Sequence, residues 1–266
     1  MQILKKKTRI ARFNRCGDFV TTWSKLQDWY QTPLGKLLAE QEMAMIAHAL
    51  TDLFGYYLLQ IGRLNGANWL ATSRISSCEV MDFQPANPAM TTKAFQGLPN
   101  ALPIQTDSHD VVVLPHVLEF SQHPHAILRE AERILIPEGH LVMLVFNPWS
   151  LWSLWRMGWG ARVPWCGRFI GSNRLKDWME LLGFDVTIMQ GYFFRPPIQR
   201  AGFMQRLSAW ERLGQRLWPI LGASQLIVAR KRVITMTPIR PSWRSRAKIV
   251  SPGLVEPFQN KHKYRD

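Results

Sequence analysis

The segment from residue 110 to residue 146 constrains the fold of this chain more than any other. Residues 110–114 read Asp-Val-Val-Val-Leu, an apolar run without polar alternation, which is typical of a central parallel strand covered on both faces. Residues 124–135 begin with proline and carry an apolar stripe at helical spacing. Residues 137–139, Pro-Glu-Gly, predict a turn, and residues 140–146 form a second apolar run. Strand, helix and strand in this order predict a βαβ unit with a right-handed crossover.

The remaining segments predict further strands and helices around this unit. Thr32 followed by Pro33 favours a helix start, because threonine caps the first turn and proline lacks only an N–H that would be unpaired there. Gly55 suits the end of that helix. The other predicted elements are strands at residues 56–61, 78–81, 185–189 and 224–230, and a helix at 174–183. The whole predicts an α/β fold, a doubly wound, mostly parallel sheet with helices on both faces.

The net charge of +14 lies at the two ends of the chain. Residues 1–15 hold six Lys or Arg and no acid, and residues 230–266 hold ten Lys or Arg and two acids, which accounts for all of it. A basic segment of this kind favours nucleic acid or an anionic lipid surface as a partner, and we predict that role for the C-terminal tail. The predicted organisation is a basic N-terminal segment (1–22), one domain (23–232) with an insertion at 191–222 that is helical near 203–218, and a basic, flexible tail (233–266).

Several classes of protein are disfavoured by the sequence. No apolar run reaches the roughly 18 residues of a membrane-spanning helix, and the first 18 residues lack the apolar core of a signal peptide. We therefore predict a cytoplasmic protein. The three cysteines, Cys16, Cys78 and Cys166, are few, odd in number and far apart, which argues against both a disulfide framework and a zinc site.

The order of residues between 102 and 139 resembles the class I S-adenosylmethionine-dependent methyltransferases, in particular the broad type 11 family. The resemblance rests on Leu-Pro-Ile at 102–104, Asp107, Asp-Val-Val at 110–112, and Arg-Ile-Leu-Ile-Pro-Glu-Gly at 133–139. Residues 174–186 are similar to that family's helix leading into its sixth strand. The stretches Thr-Pro-Leu-Gly near the start, Leu-Phe-Gly-Tyr-Tyr-Leu-Leu-Gln-Ile-Gly and Phe-Asn-Pro-Trp-Ser-Leu-Trp are similar to a bacterial branch of these proteins. The resemblance covers roughly residues 23–240 and implies methyl transfer from S-adenosylmethionine.

The glycine-rich loop that the resemblance implies for the cofactor is degenerate here. Gln60 stands in place of the family's first acid, and the turn at 62–66 reads Gly-Arg-Leu-Asn-Gly instead of Gly-x-Gly-x-Gly. Gly62 still allows a close backbone approach, and Gln60 can both donate and accept hydrogen bonds. We therefore predict that Gln60 and Gly62 contact the cofactor, with weaker binding than an intact loop would give.

The resemblance also implies contacts after the next three strands. Asp82 is expected to bind the ribose hydroxyls, with Glu79 as the rival position, and Leu98 falls at the adenine position. Pro115 and His116 follow the fourth strand, whose carboxyl end faces the crevice of an open sheet, so both are expected to line the cofactor. His116 is also the candidate catalytic base, because its pKa suits proton transfer. The alternative is that His116 caps the next helix or packs below the adenine.

A tryptophan-rich segment, residues 149–165, follows the fifth strand and holds five of the twelve Trp. A helix would align four of them. Three interpretations stand: core packing, an apolar lid over a large or lipidic acceptor, or an interfacial anchor with arginines reaching lipid phosphates. Asn147, Trp149 and Trp152 are the predicted substrate contacts, since they come directly after a strand end.

Three functions are compatible with these features. The first is an S-adenosylmethionine-dependent methyltransferase acting on a small or amphipathic molecule or on a nucleic-acid base. The second is a catalytically inactive, methyltransferase-like binding module whose basic tail contacts nucleic acid or an anionic membrane, which the altered cofactor loop would favour. The third is a peripheral membrane protein that uses the tryptophan-rich segment.

Overall fold

We analysed a computed structural model of the chain. The structure describes residues 16–64, 69–84, 93–159, 162–197 and 221–233, together with residues 214, 216, 218 and 253. The chain separates into two units, Met1–Val233 and Ile234–Asp266. Nearly all of the predicted basic tail and most of the predicted insertion lie outside the described residues. Residues 1–15 of the predicted N-terminal segment lie outside them as well.

The domain is built on one seven-stranded sheet with the strand order β3-β2-β1-β4-β5-β7-β6. The five strands from β3 to β5 are parallel neighbours, whereas β7 runs antiparallel between β5 and β6. The fold prediction is thereby confirmed. The strands are β1 Tyr57–Ile61, β2 Ser77–Asp82, β3 Lys93–Gln96, β4 His109–Pro115, β5 Leu135–Phe146, β6 Phe184–Tyr192 and β7 Ser224–Lys231.

The middle of the sheet is β4, as its sequence predicts. Val111, Val112 and Val113 are fully buried and pair with β1 on one side and β5 on the other. Asp110 is the second residue of the strand, and its carboxylate accepts hydrogen bonds from the backbone N–H groups of Tyr56 (2.8 Å) and Tyr57 (2.9 Å). This carboxylate therefore fixes the start of β1 against β4.

Five helices of eight or more residues are described, and their ends follow ordinary capping chemistry. Asp18 caps α1 and Thr32 caps α2, each accepting from backbone N–H groups in the first turn. Gly183 follows α5 with φ 81°, the left-handed conformation that glycine adopts most readily after a helix. The helices are α1 Phe19–Tyr30, α2 Pro33–Thr51, α3 Pro124–Ile134, α4 Leu151–Trp159 and α5 Ser172–Leu181.

Two local predictions are wrong. Helix α2 ends at Thr51, not at Gly55; Gly55 instead packs so closely on Asp110 that a Cβ there would lie 2.3 Å from the Asp110 Cβ. The turn predicted at residues 137–139 lies within β5, where Glu138 takes a left-handed φ of 65° while the strand continues. A tertiary contact in one case and strand pairing in the other override the local signal.

The cysteine spacing argues against a disulfide framework, yet the structure contains one disulfide bond. Cys16 and Cys166 are bonded, with an S–S distance of 2.11 Å, although 150 residues separate them in the sequence. The bond joins the segment before α1 to the loop after α4. Spacing alone could not reveal it, because the contact exists only once the fold brings both segments together. No helix in the described ranges is long and apolar enough to cross a membrane.

Candidate functional site

The carboxyl edge of the sheet begins with the turn after β1. Gly62 takes φ 88°, and its carbonyl accepts a hydrogen bond from the buried Gln60 side chain at 2.8 Å. The indole of Trp23, from α1, lies directly on this turn, since a Cβ at Gly62 would be 2.6 Å from that ring. Trp23 Nε1 and Gln27 Nε2 both donate to the Arg63 carbonyl, at 3.1 and 2.8 Å. Helix α1 therefore covers the turn and holds its backbone.

Asp82 is the last residue of β2, at the same edge, and is mostly buried. Its Oδ1 accepts from the backbone N–H of Phe83 at 2.8 Å, while Oδ2 lies 3.8 Å from Arg63 Nε. Burial raises the pKa of the Asp82 carboxyl, and the Phe83 N–H and the Arg63 guanidinium oppose that rise. Glu79 lies three residues earlier in the strand, where it acts electrostatically on His109 at the start of β4. Only Asp82 of the two therefore stands at the carboxyl edge.

A pocket of about 340 Å³ is lined by Phe83, the residue that follows Asp82. It is formed by residues that follow β2 and β3 and by the start of α1; Phe19 and Phe83 meet edge to face at 4.7 Å. The Gly97 N–H donates to the Asp82 carbonyl at 3.2 Å, which ties the pocket floor to the acid. Leu98 is 60% exposed and lies at the rim. The lining residues are Phe19, Val20, Phe83, Gln96, Gly97 and Leu98.

The predicted base His116 lies in a buried ionic cluster. His116 Nδ1 is 2.8 Å from Glu119 Oε1, and Nε2 is 2.8 Å from Glu42 Oε1. The Tyr30 hydroxyl donates to Glu42 Oε2 at 2.8 Å, and the Tyr192 hydroxyl donates to Glu42 Oε1 at 3.3 Å. All five side chains are almost or entirely inaccessible to solvent. The cluster therefore ties α1, α2 and β6 to the end of β4.

The charge of His116 follows from its two carboxylate neighbours. Burial lowers the pKa of the imidazole, but the Glu42 and Glu119 carboxylates outweigh it, and the pKa rises to about 9. The ring stacks on Phe146 at 4.0 Å. With both nitrogens occupied and no solvent contact, His116 has no free atom to accept a substrate proton in this arrangement. Its catalytic role stays a prediction that this geometry does not favour.

The predicted substrate contacts take different positions. Asn147 is fully buried, donates to the Gly222 carbonyl at 2.9 Å and accepts from the Trp149 N–H at 3.0 Å. Trp152 is also fully buried, and its indole donates to the Arg195 carbonyl at 2.9 Å. Trp149, in contrast, precedes α4 and is 71% exposed. The tryptophans therefore do not form one aligned face, and of the three residues only Trp149 is open to an acceptor.

Pro115 completes the predicted set, and it ends β4 as a buried residue beside His116. The carboxyl edge thus brings together Gln60, Gly62, Asp82 and Pro115, with Leu98 at the rim of the pocket.

Several residues at this edge escaped the sequence analysis. Trp23 and Phe19 lie on α1, where the Asp18 cap and apolar residues at helical spacing were an available signal. Glu42 interrupts the apolar stripe of α2, and a charged residue in that position signals a buried partner. Phe83 carried no signal, because its place in the pocket depends on β3 and α1.

Known proteins agree with this geometry. A family model described as a methyltransferase domain matches residues 46–188, which is more than half of the chain. The chain belongs to this methyltransferase family. The YafS protein of Escherichia coli strain K12, described as uncharacterized, is 32% identical over 226 residues, covering 83% of this chain and 86% of YafS. The demethylmenaquinone methyltransferase of Chlamydia pneumoniae is 27% identical over 137 residues, covering 45% of this chain and 58% of the relative.

Solved structures support the same fold. A chain from the complex between the Haloferax volcanii Trm112 methyltransferase activator and a methyltransferase superposes with a TM-score of 0.56 at 16% identity, covering 78% of this chain and 98% of that one. An S-adenosylmethionine-dependent methyltransferase from Thermotoga maritima superposes with a TM-score of 0.52 at 17% identity, covering 79% and 99%. Family and fold together make this chain an S-adenosylmethionine-dependent methyltransferase, and an inactive binding module finds no support among these proteins.

The edge residues fit one half of S-adenosylmethionine directly. A carboxylate at the end of β2 suits the two ribose hydroxyls, and the apolar pocket beside it suits a flat adenine. The turn at Gly62, where the methionine portion would approach, is in contact with the Trp23 ring. The adenosine half therefore fits as the chain stands, and the methionine half fits once Trp23 is displaced from the turn.

Proposed function

We propose that this methyltransferase binds S-adenosylmethionine at Asp82 and the adjoining pocket and transfers its methyl group to an amphipathic acceptor at the carboxyl edge. The observation that carries the proposal is the buried carboxylate of Asp82 beside a pocket of about 340 Å³. The bound cofactor supplies an electrophilic methyl group on a sulfonium. The chain supplies binding, orientation and exclusion of water.

Three groups of residues divide the binding work in this proposal. Asp82 accepts hydrogen bonds from the ribose, in addition to those its carboxylate accepts from the Phe83 and Gln84 backbone and beside a long 3.8 Å contact with Arg63. Phe83 and Leu98 contact the adenine from the ends of β2 and β3. Gln60 and Gly62 hold the methionine end, where Gln60 already positions the Gly62 carbonyl. The altered turn is offset in part by α1, which contributes Phe19 to the wall of the pocket.

We assign the rate enhancement to alignment of the methyl donor with the acceptor atom, and not to a general base such as His116. Methyl transfer needs the donor and acceptor atoms held in line, and positioning alone accounts for much of such a rate enhancement. His116 then serves as a positioning residue, because its contacts with Glu42 and Glu119 hold α2 against the edge. Asn147 fixes the loop that presents Trp149 to the acceptor.

Calorimetric titration with S-adenosylmethionine and S-adenosylhomocysteine tests the proposal. We expect saturable binding by the native chain and binding at least about tenfold weaker in Asp82→Asn, since the charged acceptor for the ribose hydroxyls is lost. Glu79→Gln is the matched control, because it makes the same chemical change three residues earlier in the same strand and should leave the affinity unchanged.

Two outcomes would contradict the proposal. Absence of binding at millimolar cofactor would exclude Asp82 and its pocket as a cofactor site. An effect of Glu79→Gln larger than that of Asp82→Asn would show that the ribose acid is misassigned.

A further inference from the structure

Two segments that leave the carboxyl edge share an unusual composition. Residues 147–171 connect β5 to α5, and residues 191–222 connect the end of β6 to β7. Together they hold eight Lys or Arg, one acid and seven of the twelve Trp. The rest of the chain between residues 16 and 229 holds nine Lys or Arg and sixteen acids. The sequence of these two segments is therefore basic, whereas that of the rest of the domain is acidic.

The same two segments expose large apolar side chains. Trp149 is 71% exposed, Leu154 is 61% exposed and Trp218 is 58% exposed. The two segments meet where the Asn147 amide donates to the Gly222 carbonyl, between Trp149 and Leu221. We call this set the tryptophan–leucine surface; its members are Trp149, Leu151, Leu154, Trp218 and Leu221.

The exposure is built into the fold. Asn147 fixes the backbone of Trp149 through its side-chain oxygen, and Trp152 anchors α4 by burying its ring and donating to the Arg195 carbonyl. Anchoring Trp152 inward turns Leu151 and Leu154 outward, since they lie about 100° and 200° away around the helix. Large apolar groups exposed on two segments that contact each other mark an interaction surface.

Charge decides which partner this surface fits. Arg162 and Arg216 are exposed on the same two segments, and Arg174 is exposed in the first turn of α5, so exposed cations and exposed apolar groups occur together here. At the opposite edge, the exposed Phe54 lies under the Arg74 guanidinium at 6.0 Å, and Tyr56 lies beside the Asp110 carboxylate. Tryptophan and leucine with flanking arginine are typical of a face that lies in the interface of an anionic bilayer. Nucleic acid would use the tryptophans for stacking but offers no partner to exposed leucines.

We propose that the tryptophan–leucine surface docks on an anionic phospholipid bilayer. Tryptophan and leucine side chains enter the boundary between headgroups and acyl chains, and the flanking arginines contact lipid phosphates. Docking in this orientation turns the carboxyl edge of the sheet toward the membrane. If the chain transfers methyl groups as proposed above, the acceptor reaches this edge from the lipid phase.

Sedimentation with vesicles tests the docking surface on the full chain, without cofactor. The vesicles contain phosphatidylcholine and phosphatidylglycerol, with pure phosphatidylcholine as the uncharged comparison. We expect the double variant Trp149→Ser, Leu154→Ser to partition about tenfold more weakly, because two apolar groups no longer enter the interface. The matched control is Phe54→Ser, Leu181→Ser, which removes an exposed aromatic and an exposed leucine away from the surface and should change nothing.

Two charge-reversal variants distinguish binding by the tryptophan–leucine surface from binding by the basic tail, which both variants retain. Arg216→Glu should weaken binding to the anionic vesicles, whereas Lys93→Glu, at the exposed start of β3, should weaken it much less. Vesicle binding that is unchanged in the Trp149, Leu154 variant would overturn the proposal, as would equal losses in variant and control. Loss of binding to a single-stranded RNA oligonucleotide with vesicle binding retained would assign the surface to nucleic acid instead.

The cofactor titration stays independent of this result. Vesicle binding with no cofactor binding would remove the proposed function and leave the docking surface, and the reverse result would remove only the docking surface.

Discussion

The buried cluster around His116 makes the stability of this protein depend on pH in a defined direction. The imidazole has an ordinary pKa of 6.5, and the carboxylates of Glu42 and Glu119 hold it at about 9 in the folded chain. At about 1.4 kcal/mol for each factor of ten in proton affinity, the folded state gains roughly 3 kcal/mol from the charged ring. A group whose pKa is raised on folding contributes fully below its unfolded pKa. That contribution is therefore complete below pH 6.5 and is lost as the pH rises to about 9.

Other titrating groups contribute little to the change in stability between pH 6.5 and 9. Burial lowers the pKa of His109, His125 and His140, so these rings destabilise the fold only where they would be charged in the unfolded chain, at and below pH 6.5. Burial raises the pKa of the Cys78 thiol from 9, and the pKa of Tyr30 lies well above 10, so both act at higher pH. A fall in stability between pH 6.5 and 9 therefore reports on His116.

Urea unfolding at several pH values between 6.5 and 9 measures the effect. We expect the native free energy of unfolding to fall by roughly 3 kcal/mol across the range. Glu42→Gln removes one of the two carboxylates while keeping an acceptor for Tyr30, so it should lower stability at pH 6.5 and flatten the slope. Glu40→Gln, on the exposed side of the same helix, is the control and should keep the native slope. Carbon NMR of labelled histidine should show one ring with an apparent pKa of about 9. A flat native profile, or an undiminished slope in Glu42→Gln, would refute the assignment of a charged His116.

Two further predictions concern the covered turn. Gly62→Ala should destabilise the fold by more than about 1 kcal/mol in thermal or urea unfolding, because the new Cβ would meet the Trp23 ring at 2.6 Å and the backbone has φ 88°. The matched control is Gly17→Ala, which also lies at positive φ but in open space. An equal loss of stability in both variants would show that contact with Trp23 is unimportant. Trp23→Leu should lower the free energy of unfolding by a few kcal/mol, because a fully buried ring is lost. The folded variant should nevertheless bind S-adenosylhomocysteine at least as tightly as the native chain, because the smaller side chain uncovers the turn. Clearly weaker binding in calorimetry would mean that Trp23 itself holds the cofactor.

The strands were the most predictable part of this fold, because their signal is local. The apolar run at residues 111–114 favours a strand covered on both faces, and the structure buries it between β1 and β5. Helix α3 was equally clear, since Pro124 and the apolar stripe mark its start and its inner face. The fold class followed from such segments, and the family resemblance followed mainly from the motifs at residues 102–139.

The site was less predictable, because its contacts join residues far apart in the sequence. Trp23 reaches the Arg63 carbonyl across 40 residues, and His116 reaches Glu42 across 74. A histidine after a central strand suggested a catalytic base, but whether its nitrogens are free depends on what α2 brings against it. Glu42 on an apolar helix face was the one local sign that the histidine already had a partner.

The altered cofactor turn is best explained together with helix α1. A turn with several glycines leaves its backbone open to the cofactor, whereas here Arg63 and Gln60 organise the turn from within, and α1 closes it from above through Trp23 and Gln27. The same helix contributes Phe19 to the pocket beyond β2 and β3, and the Cys16–Cys166 bond ties its start to the loop after α4. The lost glycines therefore do not by themselves argue for lost activity. In the proposed binding mode, part of the cofactor wall lies on a helix instead of the loop, and binding of the methionine end depends on displacing one side chain, Trp23, whose removal the calorimetric comparison above measures directly.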